Sequence, residues 1–335
     1  MKNYFLLVAL AVSFLSCERE TPDFLGGSLN DQFGQLSVLD SLKSNTPTFN
    51  FSVVSPRFFE AQWSKSLNWT LSVVGTQSGA SKTFSGFSNK IDIDNCSWNG
   101  TADNFPSFTQ EPCQAILTLT DSDSSIVMTT NLSVSELKPL QDGMKVIADF
   151  EDGIPTNTIV FAQPGEDMSF RVENGQAANG SSYYAMGGIV SWDYYLGSIK
   201  VPVETEEFAD VSPLLLYFNM AIMGGMVGDV PADQFMKVYL IEADGERYSY
   251  EINPVDWSNW QLLSIPYSDF ILESGEANNT RDPGTINQIE VMCLSCPSGP
   301  DNIIGGGTPC PENMGLTVKT DIDFIAFTQN ESYKP

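Results

Sequence analysis

Hydrophobic residues in this chain recur mostly at every second position and rarely at the three-to-four spacing of an amphipathic helix. Phe49-Asn50-Phe51-Ser52-Val53 and Asn68-Trp69-Thr70-Leu71-Ser72-Val73 alternate with a period of two. That spacing lines one face of a strand with apolar side chains. Lys82-Thr83-Phe84 and Ala115-Ile116-Leu117-Thr118-Leu119 continue the series, with Gly- and Asp-containing turns between them. Trp63, Trp69 and Trp98 fall in this stretch and are expected in its core. In Leu214-Leu215-Leu216-Tyr217-Phe218-Asn219-Met220, the even positions form a core parity, and Leu215, Tyr217 and Asn219 share the opposite face. Ile289-Glu290-Val291-Met292-Cys293-Leu294 predicts one more strand. No apolar run at helical spacing is long enough for a substantial helix, so the expected class is all-β.

The pattern is interrupted at Leu137-Lys138-Pro139-Leu140-Gln141-Asp142-Gly143, where Pro and Gly break any regular element. Residues 137–143 are therefore expected to link a first domain, 47–136, to a second, 144–335. At the start, Lys2 precedes the apolar run Tyr4–Phe14, too short to span a bilayer as a helix and shaped like a secretion signal over residues 1–16. Residues 17–46, polar with scattered Leu and Phe, are expected to be a tether.

Composition narrows the chemistry. Charged residues are 17% and hydrophobic ones 42% of the 335, the balance of a globular chain. The formal charge is −26, and losing Lys2 with a signal peptide makes it −27. Such a surface repels nucleic acid and anionic lipid headgroups, excluding nucleic acid as a partner and favouring neutral ligands. There is no histidine. Ser-His-Asp and Cys-His catalysis and histidine metal sites are thereby excluded. Of the six cysteines, Cys96 is expected to pair with Cys113 and Cys296 with Cys310, leaving Cys293 as a buried thiol. Cys293-Leu294-Ser295-Cys296 has the CxxC spacing of a zinc site, which would still need a fourth ligand beside Cys310.

Three sets of motifs resemble known families. Leu15-Ser16-Cys17, closing the apolar run, resembles a bacterial lipobox, which implies cleavage before Cys17 and a lipid on that cysteine. The acidic start Glu18-Arg19-Glu20 resembles the export signals of Bacteroidetes surface lipoproteins. Trp98-Asn99-Gly100-Thr101, a Pro-bearing loop and the Ala115–Leu119 strand resemble the closing hairpin of bacterial immunoglobulin-like (PKD-like) modules, implying a β-sandwich spacer. In the second domain, Val146–Gly153 with its Asp-Phe-Glu, Trp260-Gln261-Leu262-Leu263-Ser264-Ile265-Pro266-Tyr267-Ser268-Asp269-Phe270 and Asp321-Ile322-Asp323-Phe324-Ile325-Ala326-Phe327 resemble galactose-binding-like jelly rolls, carbohydrate-binding modules of family 11 above all. The expected fold is thus an N-terminal immunoglobulin-like β-sandwich followed by a galactose-binding-like β-jelly roll.

That resemblance implies a structural calcium ion held by Glu151 and Asp323, an acid from the first strand and one from the last, with backbone carbonyls and Asp149 or Asp321 contributing to its oxygen shell. It also implies a sugar site. Pyranose rings stack their C–H faces on aromatic rings and present hydroxyls to polar neighbours. Trp192, Tyr194 and Tyr195 beside Gly187-Gly188 and Gly197, Tyr217 with Asn219, and Trp257 are the candidate residues. A glycosidase would need two opposed carboxylates, and nothing in the sequence singles out a pair. The expectation is therefore not an enzyme. It is a monomeric lipoprotein of the outer membrane, anchored at the cell surface, that captures a polysaccharide, a neutral glucan first, beside a glycan importer complex. The competing expectations are a carboxylate-dependent glycoside hydrolase or lyase, and an adhesin binding protein.

Overall fold

The alternation of the first domain becomes seven strands: β1 Val38–Ser44, β2 Thr48–Asn50, β3 Arg57–Gly75, β4 Ser81–Ile91, β5 Ser97–Trp98, β6 Pro112–Thr120 and β7 Ser125–Glu136. The computed structural model describes residues 34–120, 125–164, 168–190, 195–224, 235–253, 255–274, 278, 280–295 and 315–335. The strands run in the order β1-β3-β6-β7-β2, with β4 and β5 also pairing to β3. β3 is long enough to serve β1 and β5 with its first half and β4 and β6 with its second. Phe59, Ala61, Trp63, Leu67, Trp69, Leu71 and Val73 all turn inward, at odd positions throughout. Each large side chain so buried stabilises the unit by roughly 1.5–3 kcal/mol.

Three expectations are corrected here. Residues 38–44, expected to lie in the tether, form β1, which pairs with β3 and buries Leu42. Only that one residue of the strand is deeply buried, so its alternation was faint. The strand at Phe49–Val53 stops at Asn50, where the Asn50 side chain accepts the Ser52 amide (2.9 Å) and turns the chain. Cys96 and Cys113 are buried free thiols, not a disulfide. They meet opposite ends of β3: the Cys96 carbonyl accepts the Phe59 amide, whereas Cys113 pairs with Gly75. Burial raises both thiols to about 12. Cys296 and Cys310 lie outside the described residues, and Cys293 is a buried thiol, as expected.

Among the described residues, the second domain is a sandwich of two six-stranded sheets, a jelly roll. One carries β8 Lys145–Ala148, β10 Ser169–Asn174, β11 Ser182–Ile189, β13 Leu216–Gly224, β16 Asn259–Pro266 and β19 Thr317–Gln329. Its order is β10-β11-β19-β13-β16, with the first strand β8 on the last, β19. The other carries β9 Ile159–Ala162, β12 Tyr195–Pro202, β14 Phe235–Glu242, β15 Arg247–Ile252, β17 Ile271–Ser274 and β18 Ile286–Leu294, in the order β17-β15-β14-β18-β12-β9. Between them Leu216, Phe218, Met220 and Ile222 face Met236, Val238, Leu240 and Val291.

The outer face of the β13 sheet is apolar at its centre. Ala221, Trp260, Phe324 and Ala326 are buried there against Phe105 of the first domain and Tyr333 of the C-terminal segment. The Phe105 ring lies 5.3 Å from that of Phe324 and 6.2 Å from that of Tyr333. Polar contacts frame the patch: Ser107 donates its amide to the Ala178 carbonyl (3.0 Å), Leu262 to Asn104 Oδ1 (3.0 Å) and Ala102 to the Pro335 carbonyl (2.7 Å). The loop bearing Phe105 is itself held by buried Glu111, which accepts the amides of Gln77, Ser78 and Thr109. The two domains are joined by this patch as well as by residues 137–143. We expect the wild type to unfold calorimetrically in one transition and F105A in two. A single, unshifted transition in F105A would show that the patch does not couple the domains.

Candidate functional site

The parity that sends Met236, Val238 and Leu240 into the core turns Phe235, Lys237 and Tyr239 of β14 to the outer face of their sheet. β18 adds Glu290, Met292 and Leu294, β12 adds Tyr195, Ser198 and Lys200, and β15 adds Arg247 and Ser249. This face is built from ion pairs around an aromatic ring. Glu290, 1% exposed, receives Lys200 Nζ at 3.2 Å on one oxygen and Arg247 Nη2 at 2.8 Å on the other. Lys237, fully buried, pairs with Glu273 of β17. Glu273 also accepts the Tyr239 hydroxyl (2.7 Å) and the Ser249 hydroxyl (2.9 Å). The Arg247 guanidinium lies 4.3 Å from the Tyr239 ring centroid and Lys237 Nζ lies 5.5 Å from it. Burial, then the bond to Glu273, pushes the Tyr239 hydroxyl well above its ordinary range.

At the β9 edge the face becomes aromatic and accessible. Phe161, 43% exposed, stacks on half-buried Tyr195 with centroids 5.2 Å apart and planes at 22°. The Tyr195 hydroxyl is fixed by Ser198 Oγ at 2.8 Å. Gly197 makes this stack possible, since a Cβ there would stand 2.3 Å from the Phe161 carbonyl oxygen and block the approach of β9. The arrangement offers a ring surface for stacking and a row of charged groups for hydroxyls. Glu273 and Glu290 are each committed to ion pairs, which leaves neither free to hand a proton to a leaving group.

Of the six residues expected to meet sugar, Tyr195 stands on this face, while Trp192 and Tyr194 lie outside the described residues. The others are elsewhere. Asn219 is fully buried on the β13 sheet: its Nδ2 donates to Tyr217 O, Ala326 O and Thr328 Oγ1, and its Oδ1 accepts Ser264 Oγ and the Tyr333 amide. No polar atom of Asn219 is left for a ligand, because the neighbouring strands and the C-terminal segment take them all. Tyr217 is half-buried on the same face. Trp257 packs against Gly224 and the core and donates its Nε1 to the Ile222 carbonyl (3.2 Å), a prop under β13. Sequence reasoning missed Phe161, Lys237, Tyr239 and Arg247. The available signal was a lysine and a tyrosine at one parity of an otherwise aliphatic strand.

Glu151 and Asp323 do converge on one turn, residues 175–182. Glu151 accepts the Ser181 and Ser182 amides (2.7 and 2.6 Å) and the Ser181 hydroxyl (2.9 Å). Asp323, buried, accepts the amides of Ala178 (3.0 Å), Asn179 (2.9 Å) and Phe324 (2.7 Å). In this structure these carboxylates meet N–H and O–H donors, and the hydrogen bonds tie the segment after the first strand and the last strand to the turn. Burial of Asp323, with the neighbouring Glu151 charge, raises its carboxyl to about 7 against the pull of those amides.

Fold and face define a two-domain β protein whose second domain is a jelly roll with one outer face docked and the other polar and aromatic. Comparison with known proteins gave no matching family model and no matching curated protein. Among solved structures, the chain is similar to a family 11 carbohydrate-binding module of Clostridium thermocellum in complex with a β-1,3-1,4-mixed-linked tetrasaccharide (17% identity, TM-score 0.37, covering 57% of this chain and 98% of that one). It is also similar to SGBP-B from a complex xyloglucan utilization locus in Bacteroides uniformis (11%, TM-score 0.34, 88% and 73%). A third likeness is to the CBM22-1 xylan-binding domain of Paenibacillus barcinonensis Xyn10C (12%, TM-score 0.31, 58% and 99%). Among the described residues, no helix is long and apolar enough to cross a membrane.

The raised Asp323 carboxyl has a direct consequence for stability. Its folded value of about 7 exceeds the ordinary 3.8, so the folded state holds a proton that the unfolded chain releases. That contribution is complete below about pH 4 and lost as pH rises through about 7. In urea titrations, the stability difference between wild type and D323N should shift against the wild type between about pH 5 and about pH 8. A difference that stays flat, or moves the other way, would contradict the assignment.

Proposed function

We propose that this chain is a cell-surface lipoprotein that captures a neutral polysaccharide, without turnover, on the outer face of the β14 sheet. The observation that carries the reading is the stacked Phe161–Tyr195 pair, accessible at the edge of a face where cations and carboxylates balance. Lys200, Lys237 and Arg247 stand against Glu251, Glu273 and Glu290 there, a locally neutral patch on a protein of formal charge −26. Phe161 and Tyr195 stack on the sugar rings, and Lys200 and Arg247 at the rim of the ion-pair network meet hydroxyls. The long-range negative field disfavours polyanionic glycans, which leaves glucans as the first class to try.

The N-terminal segment supports the location. Cleavage before Cys17 would leave a lipid-bearing cysteine, an anchor in the outer membrane, and a short acidic stretch before β1. The first domain then holds the jelly roll at a fixed attitude to the membrane, as a monomer presenting glycan to an importer complex. No calcium ion is needed at Glu151 and Asp323 for this role.

Affinity electrophoresis of the purified protein in soluble neutral glucans tests the reading. Wild type should be retarded, Y195A and F161A should each bind about three- to tenfold more weakly, and Y217A should behave as wild type. If no neutral glucan retards the protein, or if Y217A alone abolishes retardation, the proposed face is wrong. Release of reducing ends during the same incubation would favour the hydrolase over the capture protein.

A further inference from the structure

Away from the aromatic face, the hairpin joining β14 to β15 gathers three acids within five residues. Glu242, Asp244 and Glu246 each place one carboxylate oxygen within 4.8 Å of the others. The turn is tight: the Glu242 amide donates to the Glu246 carbonyl (2.9 Å), and Gly245, at φ 94°, returns its amide to the Glu242 carbonyl (3.0 Å). A side chain bearing a Cβ would be strained at that φ. Glu242 is 1% exposed and Glu246 fully buried, whereas Asp244 is exposed to solvent.

Two tyrosines hold the inner carboxylates in place. The Tyr267 hydroxyl and the Asp282 amide both donate to Glu242 Oε1 at 2.6 Å, and the Tyr248 hydroxyl donates to Glu246 Oε2 at 2.6 Å. Tyr248 and Tyr267 brace one another edge-on, 5.4 Å between centroids. Arg281 stacks its guanidinium 5.0 Å from the Tyr248 ring and donates Nη2 to the Phe270 carbonyl. The second oxygen of Glu242, Oε2, is buried and receives no hydrogen bond. An uncompensated buried carboxylate oxygen is costly, and here it belongs to one residue of the acid cluster. Burial, with Asp244 and Glu246 adding to it, raises the Glu242 carboxyl.

We propose that this hairpin binds one divalent cation, calcium, through Glu242, Asp244 and Glu246. Oxygens on opposite sides of a calcium ion stand about 4.6–5.2 Å apart, so three oxygens this close can surround one ion. Carboxylates are the hard donors calcium prefers, and the exposed Asp244 leaves room for water and carbonyl ligands to complete the shell. The ion neutralises the buried acids and gives Glu242 Oε2 its missing partner. It also stiffens the turn from which Arg247 enters the aromatic face. The site is independent of the glycan reading and of the turn held by Glu151 and Asp323.

Calcium chloride titrated into chelator-stripped full-length protein tests this. Wild type should gain roughly 5–10 °C in melting temperature at about one hundredfold excess over Kd. Terbium in place of calcium should show luminescence sensitised by Tyr248 and Tyr267. D244N should weaken the response at least tenfold in calcium concentration. E242Q should melt higher than wild type in chelator, because its buried charge is gone, and should lose the calcium response. E151Q should keep it. Absence of both the thermal shift and sensitised terbium in wild type would overturn the proposal. So would a response that survives D244N and E242Q, or one that disappears in E151Q.

Discussion

A sandwich of two sheets has two outer faces, and water decides what each can carry. The β13 sheet presents Ala221, Trp260, Phe324 and Ala326 on its outer side, a patch with no polar atoms except the indole nitrogen, which donates to the Gln176 carbonyl at 2.7 Å. Such a surface is unfavourable in water at roughly 25 cal/mol for each Å² exposed. Phe105 and Tyr333 cover it. Everything that follows depends on that covering. It fixes the first domain against the second, it lies beside the hydrogen-bonded cluster of buried Asn219, half-buried Ser264 and Tyr333, and it leaves the outer face of the β14 sheet open.

The β14 face is constructed in the opposite way. Its centre is charged and buried, so each ion must be matched by a partner. Glu290 has two cations and Glu273 has one together with two hydroxyls. Buried ion pairs of this kind contribute little net stability, because desolvation offsets their attraction. What they supply is geometry: Tyr239 and Arg247 are held in one arrangement before any ligand arrives, which lowers the ordering cost of binding. The Phe161–Tyr195 stack at the edge is rigid for the same reason, pinned by Ser198 and admitted by Gly197.

Much of this was legible in the sequence. Alternation over Asn68–Val73 and Leu214–Met220 announced strands and named their buried residues, apart from Leu214, which is exposed ahead of β13, because period-two patterning records which side of a sheet faces the core. Of the motifs, Trp260–Pro266 and Asp321–Phe327 fell on strands β16 and β19 of one jelly roll, whereas Asp149–Glu151 lies just past the end of β8. What parity could not reveal was which outer face would be covered. Tyr217 and Asn219 look like a ligand-binding pair along β13, and only the C-terminal segment, more than a hundred residues later, closes Asn219 off through the Tyr333 amide. Cys96 and Cys113 looked like a disulfide by their flanking of one loop, yet the register of β3 sends them to its two ends. Glu151 and Asp323, named together from two distant motifs, do meet at residues 175–182, but the amides that turn toward them there are not written in residue types.

The crystal structure of the protein with a neutral gluco-oligosaccharide bound tests the central claim most directly. The account predicts a sugar chain lying across β9, β12, β18 and β14, with a ring stacked on Tyr195 or Phe161 and hydroxyls at Lys200 or Arg247, while the Phe105 loop stays in place on the β13 sheet. A sugar bound on the β13 sheet in place of Phe105, or on the first domain, would contradict it.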